Sequence, residues 1–295
     1  MVMRQLSNKA KGILEAVVSS ASFGLIPLFS VPLLALGMTS ANVLIYRYMF
    51  GSLLMMGLLA LRHTSLRLRW GDFLRLSFLS LLYVISSLCL YAGYRYMPSG
   101  IATTLLFSYP VWTALIMIIF LHQKITIPTA LAIILAVCGV YFLSGASSTQ
   151  GTMSVKGLIL ELMSGLMYAI YMVVFPRMRI RNIPSLKVNF YVFLIAMVML
   201  MAWSVFNDGR IQPIPSLRAC LSLFLLGLLP TMLSNVCLIM SLKLLSSEMV
   251  ATLGAFEPLT AMIVGITVFH EPLTLAVILG FLLITSSVII LVKKG

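Results

Sequence analysis

The sequence predicts an all-α integral membrane protein: ten transmembrane helices arranged as two five-helix repeats of inverted topology. Three observations carry this. The 295 residues are 61% hydrophobic and only 9% charged, a balance that soluble domains do not reach. The apolar residues fall into ten segments of about the 20 residues that a bilayer-crossing helix needs. These are approximately 12–34, 42–61, 73–93, 99–121, 128–144, 157–176, 187–206, 219–240, 249–269 and 272–291. Finally, the second half echoes the first in residue order at a nearly constant offset. The loops are too short for a soluble catalytic domain.

The net charge of +13 would suggest nucleic acid in a soluble chain. Here it reads as topology, because Lys and Arg collect on the cytoplasmic side of membrane proteins. With the N-terminus inside, fifteen of the twenty Lys and Arg lie on the inner side, four (Arg95, Lys156, Arg210, Arg218) on the outer side, and Arg47 within the second helix. Both termini are therefore expected in the cytoplasm. Cys89, Cys138, Cys220 and Cys237 sit in apolar segments without ligand spacing and read as packing residues. No metal or other cofactor is expected. The first apolar run lacks a small-residue cleavage pattern and reads as a retained helix.

Taken in order, the first helix carries Glu15, Ser19 and Ser22 or Phe23 at helical spacing, then Pro27 and Pro32, which predict a bend in its outer half. Glu15 is one turn from the inner end, where an interfacial role and a transport role are both open. Arg47 lies in Tyr46-Arg47-Tyr48, where it could snorkel outward or hold a fixed positive charge against a carboxylate or solute. Segment 62–70 is a basic anchor ending in Trp70. On the third helix Tyr83, Ser87, Tyr91 and Tyr94 share one face. Lipid cannot satisfy their hydroxyls, so that face looks inward. The fourth helix has Ser108-Tyr109-Pro110-Val111-Trp112 near its centre. After the fifth, the flexible stretch 144–152 divides the chain near its midpoint into predicted units 1–146 and 151–295.

An offset of 148 sets Ser99 on Ser247, Thr104 on Thr252, Pro110 on Pro258, His122 on His270, Thr126 on Thr274 and Ser87 on Asn235. An offset of 145 sets Lys11-Gly12 on Lys156-Gly157, Ser19 on Ser164 and Phe23 on Tyr168. The sixth helix repeats the stripe of the first with Glu161, Ser164, Tyr168 and Tyr171. Five helices is an odd number, so the second unit must enter the membrane upside down, as in many secondary transporters.

The ninth helix holds the costliest pair of residues. Glu257 lies about 12 Å into it at 1.5 Å per residue, where an ionised group costs several kcal/mol unless it faces a cavity or a partner. Pro258 follows at once and cannot donate to the carbonyl of Gly254; Pro110 does the same for Leu106. Tyr109 stands where Glu257 stands, and Trp112 where Thr260 stands, so the two repeats line any central cavity unequally. A bonded, protonated Glu257 beside a plain kink is the alternative.

Phe256-Glu257-Pro258-Leu259 and His270-Glu271-Pro272-Leu273-Thr274 resemble the mid-helix Glu-Pro motif and the following Gly-Glu-x-Leu turn of the EamA-type drug/metabolite transporters. Arg47 resembles that family's arginine early in the second helix, and 246–251 its segment leading into the ninth. The resemblance covers the whole chain; Tyr109 and Gln123 depart from it in the first half. It implies ten helices, inside termini, and export or uptake of small metabolites, amino acids or drugs.

The expected function is therefore secondary transport of a small organic solute across a bacterial inner membrane. Helices 1, 3, 4, 6, 8 and 9 are expected to line the cavity. Tyr83, Ser87, Tyr91, Tyr109, Trp112, Tyr168 and Asn235 are the expected contacts, and Glu257 would bind a cation or a proton. Glu15, Glu161 and Arg47 are further coupling or charge-pair candidates, with Glu161 and Arg47 at similar depth and able to pair. Pro27, Pro110 and Pro258 are the expected kinks. Partners are the solute and the bilayer, with no nucleic acid, and a monomer suffices. A channel, a receptor or scaffold, and a membrane-embedded enzyme are the competing classes. The last lacks a paired intramembrane Asp, an HExxH or a Gly-x-Ser-x-Gly.

Overall fold

A computed structural model describes residues 2–122, 126–147, 154–242, 244–245, 250 and 253–294. Gln123, most of the 144–152 linker and most of the 246–251 lead-in lie outside the described residues. The first membrane segment is α1 (Val2–Gly24) followed by α2 (Ile26–Ala35). The next two are α3 (Ser40–Leu61) and α4 (Trp70–Gly93), and the fourth is split into α5 (Ser99–Leu106) and α6 (Tyr109–Leu121). Then come α7 (Ile127–Ser147), α8 (Val155–Val174) and α9 (Ser185–Asp208). The eighth segment is α10 (Leu217–Gly227), a π turn (Leu228–Leu233) and α11 (Ser234–Leu242). α12 (Phe256–Val268) and α13 (Leu275–Lys294) complete the chain. Among the described residues, seven helical spans are long and apolar enough to cross a membrane, and three shorter apolar helices (127–143, 256–268, 275–290) fill the remaining predicted places.

The packing has the pseudo-two-fold pattern that the sequence offsets imply. α3 lies along α9, α7 along α13, and α5 along α12, so three segments pack on their own repeat mates. The other pairings come in equivalent couples: α1 with α11 and α8 with α4; α1 with α12 and α8 with α6; α10 with α3 and α4 with α9. Each half buries itself chiefly on the other half.

Small residues set the closest approaches, as expected where lipid gives no hydrophobic drive between helices. At the α7–α13 crossing a Cβ on Gly139 would lie 3.0 Å from the Gly280 carbonyl, and one on Gly280 would lie 2.9 Å from that of Gly139. At the two ends of the bundle, equivalent residues close equivalent gaps. Gly12 meets Leu244 and Leu245, and Gly157 meets Tyr96 and Met97. One to two turns deeper, Ser19 donates to the Ser234 carbonyl (2.7 Å), while Ser164 and Ser86 each donate to the other's carbonyl (2.8 and 2.9 Å). The offsets of 145 and 148 map each of these clasps onto the other.

Helix ends follow ordinary capping chemistry. The side chains of Thr39 and Ser216 accept from the amides of Asn42 and Ala219, and so cap α3 and α10. Among the described residues, the only non-glycine positions with positive φ are His63, His122 and His270, at 48°, 51° and 54°. Each follows a helix end, where a left-handed residue redirects the chain, and His is one of the side chains enriched there.

Candidate substrate-binding site

The two split helices position the centre. α5 stops at Leu106, and α6 restarts at Tyr109 with Pro110 in its first turn; α12 starts at Phe256 with Pro258 in its first turn. Proline is tolerated there because a first-turn amide has no partner within the helix. The prolines thus mark breaks rather than bends. Pro27 likewise stands in the first turn of α2, after a break at Leu25. One expectation is corrected. The Gly254 carbonyl is not free, because the Glu257 amide donates to it at 2.9 Å. Once the helix breaks, an i to i+3 turn takes up the carbonyl that an unbroken, kinked helix would have orphaned.

Glu257 occupies the second position of α12, is 8% exposed, and has no partner at Oε1. The helix dipole favours a negative charge there. Gly24, the last residue of α1, abuts the Glu257 carbonyl so closely that no side chain could replace its hydrogen. Tyr83, Tyr109 and Tyr168 all lie within electrostatic range of the carboxyl group. Those three rings touch: Tyr109 meets Tyr168 edge-on at 4.8 Å, and Tyr168 meets Tyr83 at 6.2 Å. The aromatic chain continues through Tyr171, stacked on Tyr168 at 6.0 Å, and through Tyr48, which is 6.0 Å from Tyr83 and stacked on Phe193 at 5.5 Å. Such pairs add about 0.5–1.5 kcal/mol each beyond their buried area. Tyr48 and Phe193 are repeat mates at offset 145, so they mark the pseudo-two-fold axis.

Arg47 does not snorkel; it is 1% exposed. Its Nε donates to Thr231 Oγ1 at 2.9 Å, its Nη1 donates to Tyr91 at 3.3 Å, and its Nη2 has no partner. Pro230 explains why Thr231 is in reach. It cannot donate to the Leu226 carbonyl, the ladder slips into a π turn, and the Thr231 hydroxyl donates to that carbonyl instead at 2.9 Å.

Of the other expected residues, Ser87 accepts from the Tyr48 hydroxyl at 2.7 Å. Trp112 packs beside Gly165. Asn235 is turned to its own helix and donates to the Thr231 carbonyl at 2.6 Å. Glu15 faces Lys11 at 3.9 Å, close to the end of the bundle. The expected pairing of Glu161 with Arg47 does not form: Glu161 is fully buried with neither oxygen bonded, and Arg47 is spent on Thr231 and Tyr91. Tyr48 and Phe193 are absent from the expected contacts because the second and seventh helices are not among the expected lining ones, and Thr231 is absent although its helix, the eighth, is. The signals were present in the Arg47-Tyr48 pair and in the mid-helix Pro230.

The aromatic cluster is packed ring on ring. A cavity of about 290 Å³ opens elsewhere, lined by Arg62, Ile183, Pro184, Ser185, Leu186, Val236, Ile239 and Met240. It lies where α3 ends and α9 begins, and reaches the turn of α11 that holds Asn235. No cluster of three or more His, Cys, Asp or Glu with metal-binding geometry occurs among the described residues.

The model of the EamA-like transporter family matches residues 10–145 and again 155–293. The chain belongs to that family. An uncharacterized transporter of Bacillus subtilis (strain 168), YoaV, is 24% identical over 215 residues, which is 70% of this chain and 73% of that protein. An uncharacterized transporter of Synechocystis sp. (strain ATCC 27184 / PCC 6803 / Kazusa), sll1319, is 29% identical over 219 residues, or 72% of this chain and 64% of that protein. A crystal structure with 12% sequence identity superposes with a TM-score of 0.65 over 96% of both chains, which shows the same fold. Family and fold together make this chain a multi-pass membrane transporter.

Proposed function

We propose that this EamA-family protein is a secondary active transporter that moves a small organic solute (an amino acid, amine, metabolite or drug) by alternating access, coupled to protons or another gradient, or by exchange. It would reside in a bacterial inner membrane with both termini cytoplasmic, and residues 1–146 and 151–295 would form the two repeats. The supporting observation is Glu257: a buried carboxyl with an unbonded oxygen, at a helix break, within electrostatic range of Tyr83, Tyr109 and Tyr168. An aromatic and hydroxyl-rich surround suits an organic solute better than a bare ion. Ser87, Tyr91, Trp112 and Asn235 would extend the lining, and Arg47, with its free Nη2, would offer the opposite charge. The paired clasps at the two ends of the bundle give this reading its moving parts.

A thermal-shift screen of the purified protein against amino acids, amines and nucleosides identifies the solute. Binding at 100 times Kd adds about 2.7 kcal/mol of stability. Flux of the hit into proteoliposomes is then compared for wild type and Glu257→Gln, with and without a pH gradient. Loss of gradient-driven flux is expected; unchanged flux and unchanged pH dependence would remove Glu257 from the mechanism.

A further inference from the structure

We propose that Glu161 is a second proton-binding site, distinct from Glu257, sealed by the α4–α8 interface and loaded or emptied only when that interface opens. The proposal rests on the transport reading for its purpose, but not for its test. Glu161 is 0% exposed, and neither carboxyl oxygen has a partner. It is enclosed on three sides. One turn before it, Gly157 is pressed against Tyr96 and Met97. One turn after it, Ser164 and Ser86 bond each other's carbonyls. Across from it, the Gly93 backbone lies directly against the carboxyl group, with no room for a Cβ.

Among the described residues, no cation offsets the charge. Lys156 sits over the Tyr96 ring at 5.2 Å, Arg47 is bonded to Thr231 and Tyr91, and Arg95 donates to the Met38 carbonyl. The ionisable groups facing Glu161 are Cys89 on α4 and Tyr94 just beyond it, both neutral donors in ordinary conditions. α5 carries no ionisable side chain. On α6 the only one is Tyr109, which meets Tyr168 two turns away. Arg177, in the 3₁₀ turn after α8, donates to the Val173 carbonyl more than four turns away. An ionised carboxylate in this setting has neither exposure to solvent nor a partner among the described residues, so the sealed state holds the neutral acid.

The equivalent clasp at the other end, Gly12 with Leu244 and Leu245 and Ser19 with Ser234, carries Ala16 at the place of Glu161 and the acid Glu15 beside it. Glu15 has Lys11 at 3.9 Å. Glu161 is thus the clasp acid that has no cation among the described residues. When α4 and α8 part, water reaches it, the acid releases its proton to solvent as a carboxylate, and reclosure requires a proton back. Each opening of that gate would exchange one proton there.

The test reads the proton itself. Infrared difference spectra of the full chain in lipid nanodiscs at neutral pH, wild type minus Glu161→Gln, are expected to contain a protonated-carboxyl C=O band. A difference made up only of carboxylate bands overturns the proposal. Should that variant not fold, Glu161→Asp shifts the band instead of deleting it. Gating is read with Ser86→Cys and Ser164→Cys, whose parent hydroxyls are 3.2 Å apart, in a background with the four native cysteines replaced by Ala. With the disulfide formed, the band is expected to survive alkaline buffer; reduced, it should titrate away. Equal titration in both states refutes the seal. Absence of solute flux in proteoliposomes would instead count against the transport reading, leaving these bands unaffected.

Discussion

Glu271 ties the two halves together, and its removal has a calculable cost. It lies in the loop after α12, yet its carboxylate caps α5 in the other half. Oε1 accepts from the Ser99 amide at 2.6 Å and the Ser99 hydroxyl at 2.7 Å, and Oε2 accepts from the Gly100 amide at 3.1 Å. Gly265 leaves the room for this, since a Cβ there would run into the carboxylate. Glu271→Ala strips three bonds to a charged acceptor. Bonds to charged groups contribute about 1.5–3 kcal/mol each, but they share one carboxylate and do not add in full. An N-cap by itself contributes about 0.5–2 kcal/mol. Ser99 is 3% exposed, so water cannot replace the lost acceptor. The expected loss is about 3 kcal/mol. Glu271→Gln keeps one acceptor and loses the charge, for about half of that. Unfolding in mixed SDS micelles, followed by circular dichroism, measures both. Asp72→Asn is the control. Its ion pair with Arg75, whose side chain is 42% exposed, contributes about 0–1 kcal/mol at most. A loss for Glu271→Ala no larger than the control's would refute the cap as a tie between the repeats.

Three further outcomes follow from the same geometry. Gly24→Val would drive a side chain into the Glu257 carbonyl and Thr260, costing about 1–3 kcal/mol as overpacking does and abolishing flux; wild-type flux in proteoliposomes would contradict it. Arg47→Met replaces a buried charge that has no carboxylate partner among the described residues with an apolar chain of similar length, which removes a desolvation cost along with two hydrogen bonds, so the unfolding midpoint should move little while solute flux falls. A large stability loss with normal flux would make Arg47 a structural residue. His270→Gly relieves a left-handed φ of 54° and should raise stability by about 1 kcal/mol; a lower unfolding midpoint would count against that.

Much of the candidate site was legible because its signals are local. Tyr83, Ser87 and Tyr91 share a face by spacing alone, and Glu257 next to Pro258 is costly in any membrane helix. The interhelical partners were not legible. Ser86 and Ser234 read as ordinary helix residues, and only their meeting with Ser164 and Ser19 makes them clasps. Nothing local distinguishes Glu271 as a cap for a helix that begins 172 positions earlier. Glu161 and Arg47 share a depth, which suggested a pair; rotation about the helix axis, which depth does not specify, sends one to Gly93 and the other to Thr231.

The sequence by itself determined the solvent, the number of helices and the inverted repeat. Burying backbone in lipid demands long apolar helices, and a five-helix unit repeated once has no other way to re-enter the bilayer. Only the tertiary structure decided which mates touch, where helices break rather than bend, and which carboxyls are left without partners. Those depend on helix rotation and on approaches that a single Cβ would prevent, and neither is written in hydropathy or spacing.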